Sequence, residues 1–177
     1  MLYVWHYDSP LGGMTLTGDE SALFSLGFDN PSSASIPPAQ ELVARRLPVF
    51  EETVRWLDRY FSGVAPDFIP PLHPQGTPFR RSVWEILLGI PFGETMTYGQ
   101  IAARLTLPDR GIAIPESVQP ASHRMSAQAV GGAVGHNPIA LIIPCHRVIG
   151  ANGSLTGYAA GLDRKSWLLR HEQILNG

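Results

Sequence analysis

The sequence contains one cysteine in 177 residues, Cys145, and this scarcity excludes two kinds of stabilisation. A single thiol cannot form an internal disulfide, and it cannot supply the several cysteines of a thiolate zinc cluster. Charged residues are also few, at 16% of the chain, while 44% of the residues are hydrophobic. This composition is typical of an ordinary globular protein and gives no indication of disorder.

Long hydrophobic runs are absent as well. No run reaches the roughly 18 apolar residues that a membrane span needs, and residues 1–8 lack the basic and apolar regions of a signal peptide. The sequence therefore predicts a cytoplasmic protein that does not bind a membrane.

The net charge of −2 is unevenly distributed. Residues 1–70 contain nine acidic and four basic residues, whereas residues 71–177 contain six acidic and nine basic residues. The basic half also contains the cysteine. It could bind a polyanion, although the same excess is compatible with a normally solvated surface.

Strand and helix patterns divide the chain into two parts. Residues 2–7, 14–17 and 22–28 are rich in strand formers and predict two or three antiparallel strands. A helix then begins at Pro48 and ends at Gly63, with an apolar stripe at Phe50, Val54, Leu57 and Phe61. Residues 64–75 contain four prolines and no periodicity, which is typical of a linker. We therefore place a support domain at residues 1–70 and a second domain at residues 71–177.

Short helices are predicted in the second part. The first has Thr77 as its cap, Pro78 as its first residue and a buried stripe at Phe79, Val83 and Leu87. The second follows the capping-box pair Thr97 and Gln100 and runs through Leu105. The third is capped by Ser126 and runs from Ala127 to about Gly135. A last helix, capped by Asp163, places on one face Lys165, Leu168, Glu172 and Leu175.

The cysteine lies in the stretch Asn-Pro-Ile-Ala-Leu-Ile-Ile-Pro-Cys-His-Arg-Val-Ile-Gly, residues 137–150. Residues 139–143 predict a strand, which Pro144 ends because proline cannot donate a ladder hydrogen bond. His146 could help to ionise Cys145. Neighbours on an extended backbone point to opposite sides, so this coupling requires a turn or a bridging water. From burial tendency alone, Cys145 would be a small buried hydrophobe.

The motif Pro-Cys-His-Arg-Val, with Asn-Pro a few residues upstream, resembles the active-site signature of the O6-alkylguanine-DNA alkyltransferases, or methylated-DNA-protein-cysteine methyltransferases. Further matches extend from about Thr77 to Glu172. The resemblance implies an α+β fold, with a small N-terminal α/β domain that is ribonuclease H-like and a mainly helical, winged helix-turn-helix-like C-terminal domain. Some relatives bind zinc in the N-terminal part, and the single cysteine argues against such a site here.

The resemblance also implies a function, that of a methylated-DNA-protein-cysteine S-methyltransferase that repairs DNA. It would flip the damaged base of double-stranded DNA and move the alkyl group of O6-alkylguanine, chiefly methyl, irreversibly to Cys145. O4-alkylthymine is a second candidate lesion. Each molecule would react once, as a monomer, with no cofactor and no metal.

Individual roles follow from the same resemblance. The catalytic residues would be Cys145 as nucleophile, His146 as a base acting through water, Glu172 as its orienting carboxylate, and Tyr98 and Lys165 beside the leaving guanine. The substrate pocket would include Asn137, Pro144, Val148, Tyr158 and Ala159. DNA would be bound through Arg124, Gln128, Ala129, Gly131 and Gly132.

Some positions depart from the family pattern or permit a structural interpretation. Gln128 stands where the family commonly has an arginine that fills the gap left by the flipped base, so we expect slower flipping rather than lost activity. Ala159 replaces a serine found in some relatives, and residues 106–125 form a longer stretch than usual. Tyr98 could be a half-buried surface aromatic, the glycine pair could serve helix packing, and Glu172 could be a rim glutamate in water.

Three other functions are compatible with parts of the pattern. A cysteine hydrolase with a Cys-His dyad would need an oxyanion hole and would turn over repeatedly. A relative that only marks lesions would be expected to lack the thiol, and a helix-turn-helix regulator would not need Pro-Cys-His-Arg. The alkyltransferase interpretation accounts for all of these features together.

Overall fold

The computed structural model describes residues 1–29, 42–105, 127–155 and 157–172. The chain forms two compact units. The first contains Met1–Gln75 and Pro138–Ala140, and the second contains Gly76–Asn137 and Leu141–Gly177. None of the helices within the described ranges has the length and hydropathy needed to cross a membrane.

The first unit is built on a small sheet. Its strands are β1 (Tyr3–Ser9), β2 (Gly12–Gly18), β3 (Leu23–Phe28) and β4 (Val43–Ala44). In the described part of this unit the strand order is β3-β2-β1-β4, with β1 antiparallel to β2, β2 antiparallel to β3, and β4 parallel to β1. The predicted antiparallel strands are confirmed, and β4 is an addition too short to be seen in the sequence pattern.

One face of the sheet packs on α1 (Pro48–Phe61). Met14 and Leu16 of β2 are fully buried on that face, as period-two alternation requires. The buried stripe of α1 differs from the predicted one, because it runs through Phe50, Thr53, Leu57 and Tyr60. Val54 and Phe61, which the sequence placed on the buried face, are only half-buried. The face predicted from the apolar residues alone is therefore rotated relative to the one that packs on the sheet.

The outer edge of β3 is covered by two short segments. Leu23 exchanges backbone hydrogen bonds with Pro71 and His73, each of 2.8 Å. Leu26 does the same with Pro138 and Ala140, at 2.9 and 2.8 Å. The stretch predicted as a linker therefore contains residues paired with the sheet, and the exposed edge that would template aggregation is shortened.

The second unit is mainly helical. Its elements are α2 (Pro78–Leu88), β5 (Met96–Thr97), α3 (Tyr98–Leu105), α4 (Ala127–Gly135), a 3₁₀ helix (Cys145–Arg147), β6 (Val148–Ile149) and α5 (Leu162–His171). The strands β5 and β6 form a parallel pair. The helices α2, α3 and α4 pack on one another.

The predicted helix starts of α2 and α3 are confirmed by their caps. Thr77 Oγ1 accepts a hydrogen bond of 3.2 Å from the backbone N–H of Arg80. In the capping box, the N–H of Thr97 donates to Gln100 Oε1 at 2.9 Å, and the N–H of Gln100 donates to Thr97 Oγ1 at 3.1 Å. Ser126, the predicted cap of α4, lies outside the described residues.

Two local predictions were wrong. Residues 139–143 do not form a strand. Ile139 makes an isolated bridge, and the chain then turns at Leu141, whose φ of 69° lies in the left-handed region. An apolar run bounded by prolines can be buried in turns as well as in a strand, because burial alone does not specify the backbone. Asp163 does not cap α5, which begins after Gly161 at φ 100°, so Asp163 lies within the first turn.

Candidate active site

Cys145 begins the 3₁₀ helix immediately after Pro144. Its backbone N–H donates to Ile143 O at 2.8 Å, and the N–H of Arg147 donates to Pro144 O at 3.0 Å. The segment is therefore a turn and not an extended chain, so Cys145 and His146 are not held on opposite faces of a strand. Cys145 is 8% exposed, which leaves its thiol almost enclosed.

Two polar neighbours act on the Cys145 thiol. Burial raises its pKa, whereas a hydrogen bond from the Asn137 side chain and the positive charge of Lys165 act in the opposite direction. Asn137 is itself fixed, because its Nδ2 donates to Ile143 O at 2.8 Å. The thiol is thus protonated at rest, but the thiolate would form beside an amide donor and a cation. An inert buried cysteine needs neither.

Lys165 is the single lysine of the chain and is fully buried. Its Nζ donates to the backbone oxygen of Val148 at 2.5 Å, which connects α5 to β6. Burial lowers the pKa of Lys165, while the charge of an ionised Cys145 raises it. The cation and the thiol therefore stabilise each other's charged forms.

His146 and Glu172 form a buried pair. His146 Nε2 lies 2.5 Å from Glu172 Oε2, and both side chains are inaccessible to solvent. The rim position considered for Glu172 is wrong, since the residue is 3% exposed and follows the last residue of α5. Because an ionised carboxylate only accepts hydrogen bonds, Nε2 of His146 must carry the proton of this bond.

Arg147 is the residue of this site that the sequence analysis missed. Its Nε donates to Glu172 Oε1 at 2.7 Å, and its Nη1 donates to Ile90 O at 2.7 Å. The guanidinium carbon lies 5.7 Å from the centre of the Phe92 ring. The backbone N–H of Gly93 also donates to Glu172 Oε1, at 3.2 Å.

These donors determine the charge of Glu172. Burial by itself raises the pKa of this carboxyl group, but the hydrogen bonds from His146 and Arg147 and the positive charge of Arg147 lower it well below its ordinary value. For His146, burial lowers the pKa, Glu172 raises it, and the charges of Arg147 and Lys165 lower it further, with a net decrease. At neutral pH the site therefore contains an ionised Glu172 and a neutral His146.

Tyr158 lies close enough to Cys145 for their charges to interact. Its hydroxyl is buried and makes no hydrogen bond with any of the described residues. Burial, and then the negative charge of an ionised Cys145, raise the pKa of Tyr158 well above its ordinary value. The hydroxyl is therefore a proton donor. The adjacent Ala159 is exposed.

Tyr98, at the start of α3, lies between α4 and the loop before α5. A Cβ atom added to Gly131 would be 3.8 Å from the Tyr98 ring, and one added to Gly157 would be 3.5 Å from the Tyr98 hydroxyl. Gly157 also has a φ of 61°, which disfavours other residues. Tyr98 is half-buried, which is compatible with both interpretations of it.

The residues predicted to bind DNA lie on α4 where they are described. Gln128 and Gly132 are exposed, whereas Ala129 and Gly131 are half-buried. A Cβ atom added to Gly132 would have no neighbour within 4 Å among the described residues, so packing against this part of the chain does not require a glycine there. Arg124 and the long stretch 106–125 lie outside the described residues.

The described residues contain no group of three or more His, Cys, Asp or Glu side chains that could hold a metal ion.

The site contains a thiol, a neutral histidine, an orienting carboxylate and a buried cation. It lies in the unit that also contains the helices α3 and α4. The fold and the site together define a two-unit α+β protein whose helical unit holds a buried cysteine thiol next to a histidine–carboxylate pair.

Comparison with known proteins specifies the family. Residues 78–174 match the model of the 6-O-methylguanine DNA methyltransferase DNA binding domain, and residues 2–74 match that of the ribonuclease-like domain of the same proteins. The chain belongs to the 6-O-methylguanine DNA methyltransferase family. This confirms the predicted family and fold class.

Similar proteins extend over almost the whole chain. The methylated-DNA–protein-cysteine methyltransferase of Methanosarcina acetivorans is 41% identical over 171 residues, which cover 97% of this chain and 98% of that protein. The protein of the same name from Mycobacterium tuberculosis is 39% identical and covers 98% of this chain and 93% of its own. The crystal structure of Mycobacterium tuberculosis OGT in complex with DNA superposes with a TM-score of 0.76 at 39% identity, covering 97% of this chain and 92% of that one.

Proposed function

We propose that this protein repairs double-stranded DNA by transferring the alkyl group of O6-alkylguanine, chiefly methyl, to its own Cys145. The observation that carries the proposal is the position of the buried Cys145 thiol, beside Asn137 and Lys165 and next to the His146–Glu172 pair. The relatives are named for transfer from methylated DNA to a protein cysteine, and a related structure contains DNA. O4-alkylthymine is a second candidate substrate.

The proposed reaction begins with the proton of the thiol. Nε2 of neutral His146 donates to Glu172, so Nδ1 is the ring nitrogen with a free lone pair. Nδ1 therefore accepts the Cys145 proton through a bridging water. Glu172 orients the imidazole and stabilises the imidazolium that results. Asn137 and Lys165 stabilise the thiolate.

The second step is displacement at the alkyl carbon. The sulfur–carbon bond forms as the bond from carbon to guanine O6 breaks, and the electron pair leaves with the purine. The guanine anion then takes one proton from the Tyr98 hydroxyl or the Lys165 ammonium group and returns as neutral guanine, and the proton held by His146 restores that donor through solvent. Tyr98 and Lys165 are the proposed partners of this leaving group. A thioether offers water no good leaving group, so each molecule reacts once.

Access to the thiol requires the base to leave the duplex. Cys145 is 8% exposed, and a stacked base cannot reach it. Flipping costs a few kcal/mol, and less for a lesion that pairs poorly. The residues proposed to hold the flipped base are Asn137, Pro144, Val148, Tyr158 and Ala159.

We assign DNA binding to α4. Gly131 and Gly132 permit close approach to the minor groove, and exposed Gln128 occupies the place of the departed base. Residues 71–177 form the proposed DNA-binding and transfer domain, and residues 1–70 its support. The proposed working form is a monomer in the cytoplasm.

The experiment that tests the proposal is the intact mass of the protein after incubation with a duplex containing one O6-methylguanine. Cys145→Ser is the control. We expect the wild type to gain one methyl group, saturating at one per protein, and the variant to gain none. Binding without a change in mass would instead indicate a lesion-recognition protein, and repeated turnover would indicate a hydrolase.

A separate variant tests the role of Gln128. Gln128→Ala should transfer the methyl group from duplex DNA more slowly than the wild type, because alanine cannot fill the gap or hydrogen-bond the orphaned base. Transfer from the free base O6-benzylguanine, which needs no flipping, should be unchanged. Equal rates on duplex DNA would show that Gln128 does not take this role.

A further inference from the structure

The carboxylate of Glu172 is shared between two buried side chains. Oε2 faces His146 Nε2, whereas Oε1 accepts from Arg147 Nε and from the backbone N–H of Gly93. Arg147 is 6% exposed and is held in place by Ile90 O and the ring of Phe92. These contacts hold its guanidinium with Nε towards Glu172.

The charge of this buried group depends on Arg147. With neutral His146, ionised Glu172 and Arg147⁺, the three side chains sum to zero. A further proton on His146 would leave a buried group with a net positive charge, and low-dielectric surroundings disfavour that. Without the guanidinium, the same proton would neutralise a buried negative charge and would be favoured.

We propose that Arg147 is a positioning residue for alkyl transfer: by occupying Oε1 of Glu172 with a fixed positive charge, it keeps His146 neutral and able to accept the Cys145 proton. This inference rests on the proposed function, since it assigns His146 the role of base. Arg147 acts through Glu172 and does not itself contact the reacting atoms.

The other titratable groups around His146 also affect whether it binds a proton. Lys165, from α5, disfavours a proton on His146, and Glu172, at the end of α5, favours one. Cys145 precedes His146 in the 3₁₀ helix and is protonated at rest because burial raises its pKa. Tyr158 also keeps its proton, since burial raises its pKa. Arg147 is therefore the cation that directly offsets the ionised Glu172.

The test is the pH dependence of single-turnover transfer, measured from pH 5.5 to 9 with O6-benzylguanine as free base and with the methylated duplex. Arg147→Met removes the charge and keeps much of the volume. We expect the midpoint of the acid limb of its rate profile to move upward by about one pH unit. At pH values below the midpoints of both proteins, the variant should then react about tenfold more slowly than the wild type. Arg147→Lys, which retains a cation, should have a midpoint closer to that of the wild type.

A purely structural role gives a different result. Loss of packing would lower the rate by the same factor at every pH and leave the midpoint in place. That outcome for Arg147→Met would overturn the proposal. The duplex and the free base should show the same shift, because the group that titrates is in the protein.

A second measurement is made on the folded wild-type protein, with one variant used to assign the spectrum. With ¹⁵N-labelled histidine, the ring nitrogens of His146 should show the neutral form protonated at Nε2 at pH 7, assigned by the signals lost in His146→Asn. An imidazolium at pH 7 would overturn the inference even if alkyl transfer is normal. Absence of transfer by the wild type would instead reject the proposed function, so the two failures are distinguishable.

Discussion

Arginine–carboxylate pairs occur in both units, but in different surroundings. In the first unit Arg45–Glu20, Arg46–Glu51 and Arg59–Asp67 have nitrogen–oxygen distances of 3.4, 2.8 and 2.5 Å, with side chains that are 44% to 78% exposed. In the second unit Arg147–Glu172 has a distance of 2.7 Å, with side chains that are 8% and 0% exposed. The nitrogen–oxygen distances of the exposed pairs and of the buried pair overlap, so the two kinds of pair differ chiefly in the exposure of their side chains.

The comparison shows what a buried ion pair can do that an exposed one cannot. Exposed pairs contribute about 0–1 kcal/mol, because water screens them and the long side chains lose entropy. Removing one partner of a buried pair costs about 3–5 kcal/mol, because the other charge is left without compensation. The buried pair at the site therefore constrains the protonation of its neighbour His146, whereas the exposed pairs contribute little to stability.

The largest effect is expected for Glu172→Gln. The amide removes the charge that orients His146 and leaves Arg147 buried without its anion. We expect a loss of about 10²- to 10⁴-fold in the single-turnover rate and about 3–5 kcal/mol in the free energy of unfolding. Rapid-quench kinetics and urea titration measure the two quantities.

Glu51→Gln is the matched control, since Glu51 pairs with exposed Arg46. It should leave the transfer rate unchanged and cost no more than about 1 kcal/mol. If both variants lost similar amounts of stability, burial would not be the property that distinguishes the pairs.

The second largest effect is expected at acid pH, which should reduce the stability that ionised Glu172 provides. The pKa of Glu172 is lowered from 4.5 to about 2 in the folded state, so its stabilisation is fully present above pH 4.5 and is lost as the pH falls towards 2. The shift corresponds to about 3 kcal/mol. His146, whose folded pKa is also lowered, adds a loss that begins below pH 6.5.

The measurement is the difference in unfolding free energy between the wild type and Glu172→Gln at several pH values. It should stay constant from pH 7 to about 4.5 and shrink as the pH falls from 4.5 to 3, because the glutamine variant has no carboxyl group to protonate. A difference that stayed constant across this range would contradict the assigned charge state.

A smaller effect is expected at a neutral buried hydrogen bond. Trp84 Nε1 of α2 donates to Ala133 O of α4 at 2.9 Å, and Trp84→Phe leaves that carbonyl without this donor. We expect a loss of about 1–3 kcal/mol in the free energy of unfolding, and weaker binding to duplex DNA because α4 is less firmly held. Transfer from free O6-benzylguanine should change little.

Tyr7→Phe provides the exposed counterpart. Tyr7 donates to Asp58 Oδ1 at 2.8 Å in the first unit, at the surface. Its loss should cost less than that of Trp84 and should not affect DNA binding. Equal stability losses in the two variants would argue against the structural importance of the Trp84 bond.

The smallest effect is expected for Arg59→Gln, which removes the exposed pair with Asp67. Its separation of 2.5 Å is shorter than that of Arg147–Glu172. Nevertheless, we expect a change of no more than about 1 kcal/mol, with any loss reduced by salt. A loss as large as that of Glu172→Gln would show that distance matters more than burial.

The sequence predicted the features that depend on neighbouring residues. The caps at Thr77 and at Thr97 with Gln100 were found because each joins residues three apart. The Cys-His motif was recognised because its residues are adjacent. In each case the physical cause is local and therefore visible in the order of the residues.

Features that depend on distant residues were missed. Arg147 is paired with Glu172, 25 residues away, and with Ile90, 57 residues away. No local pattern identifies these two distant partners. The turn at Leu141 was also missed, because an apolar run does not show whether its backbone hydrogen bonds lie in a ladder or in turns. A charged residue inside a motif flanked by buried apolar residues was the signal available for Arg147.

The edge of β3 has a consequence for how the gene could be divided. Pro138–Ala140 pairs with the first unit, while the residues on either side of it belong to the second. The backbone thus passes between the units three times, and no single cut yields both units whole. A fragment ending at Gln75 would lack part of its own sheet. Exchange of the first unit between relatives would have to include a compatible three-residue segment encoded far downstream, only five codons before the reactive cysteine.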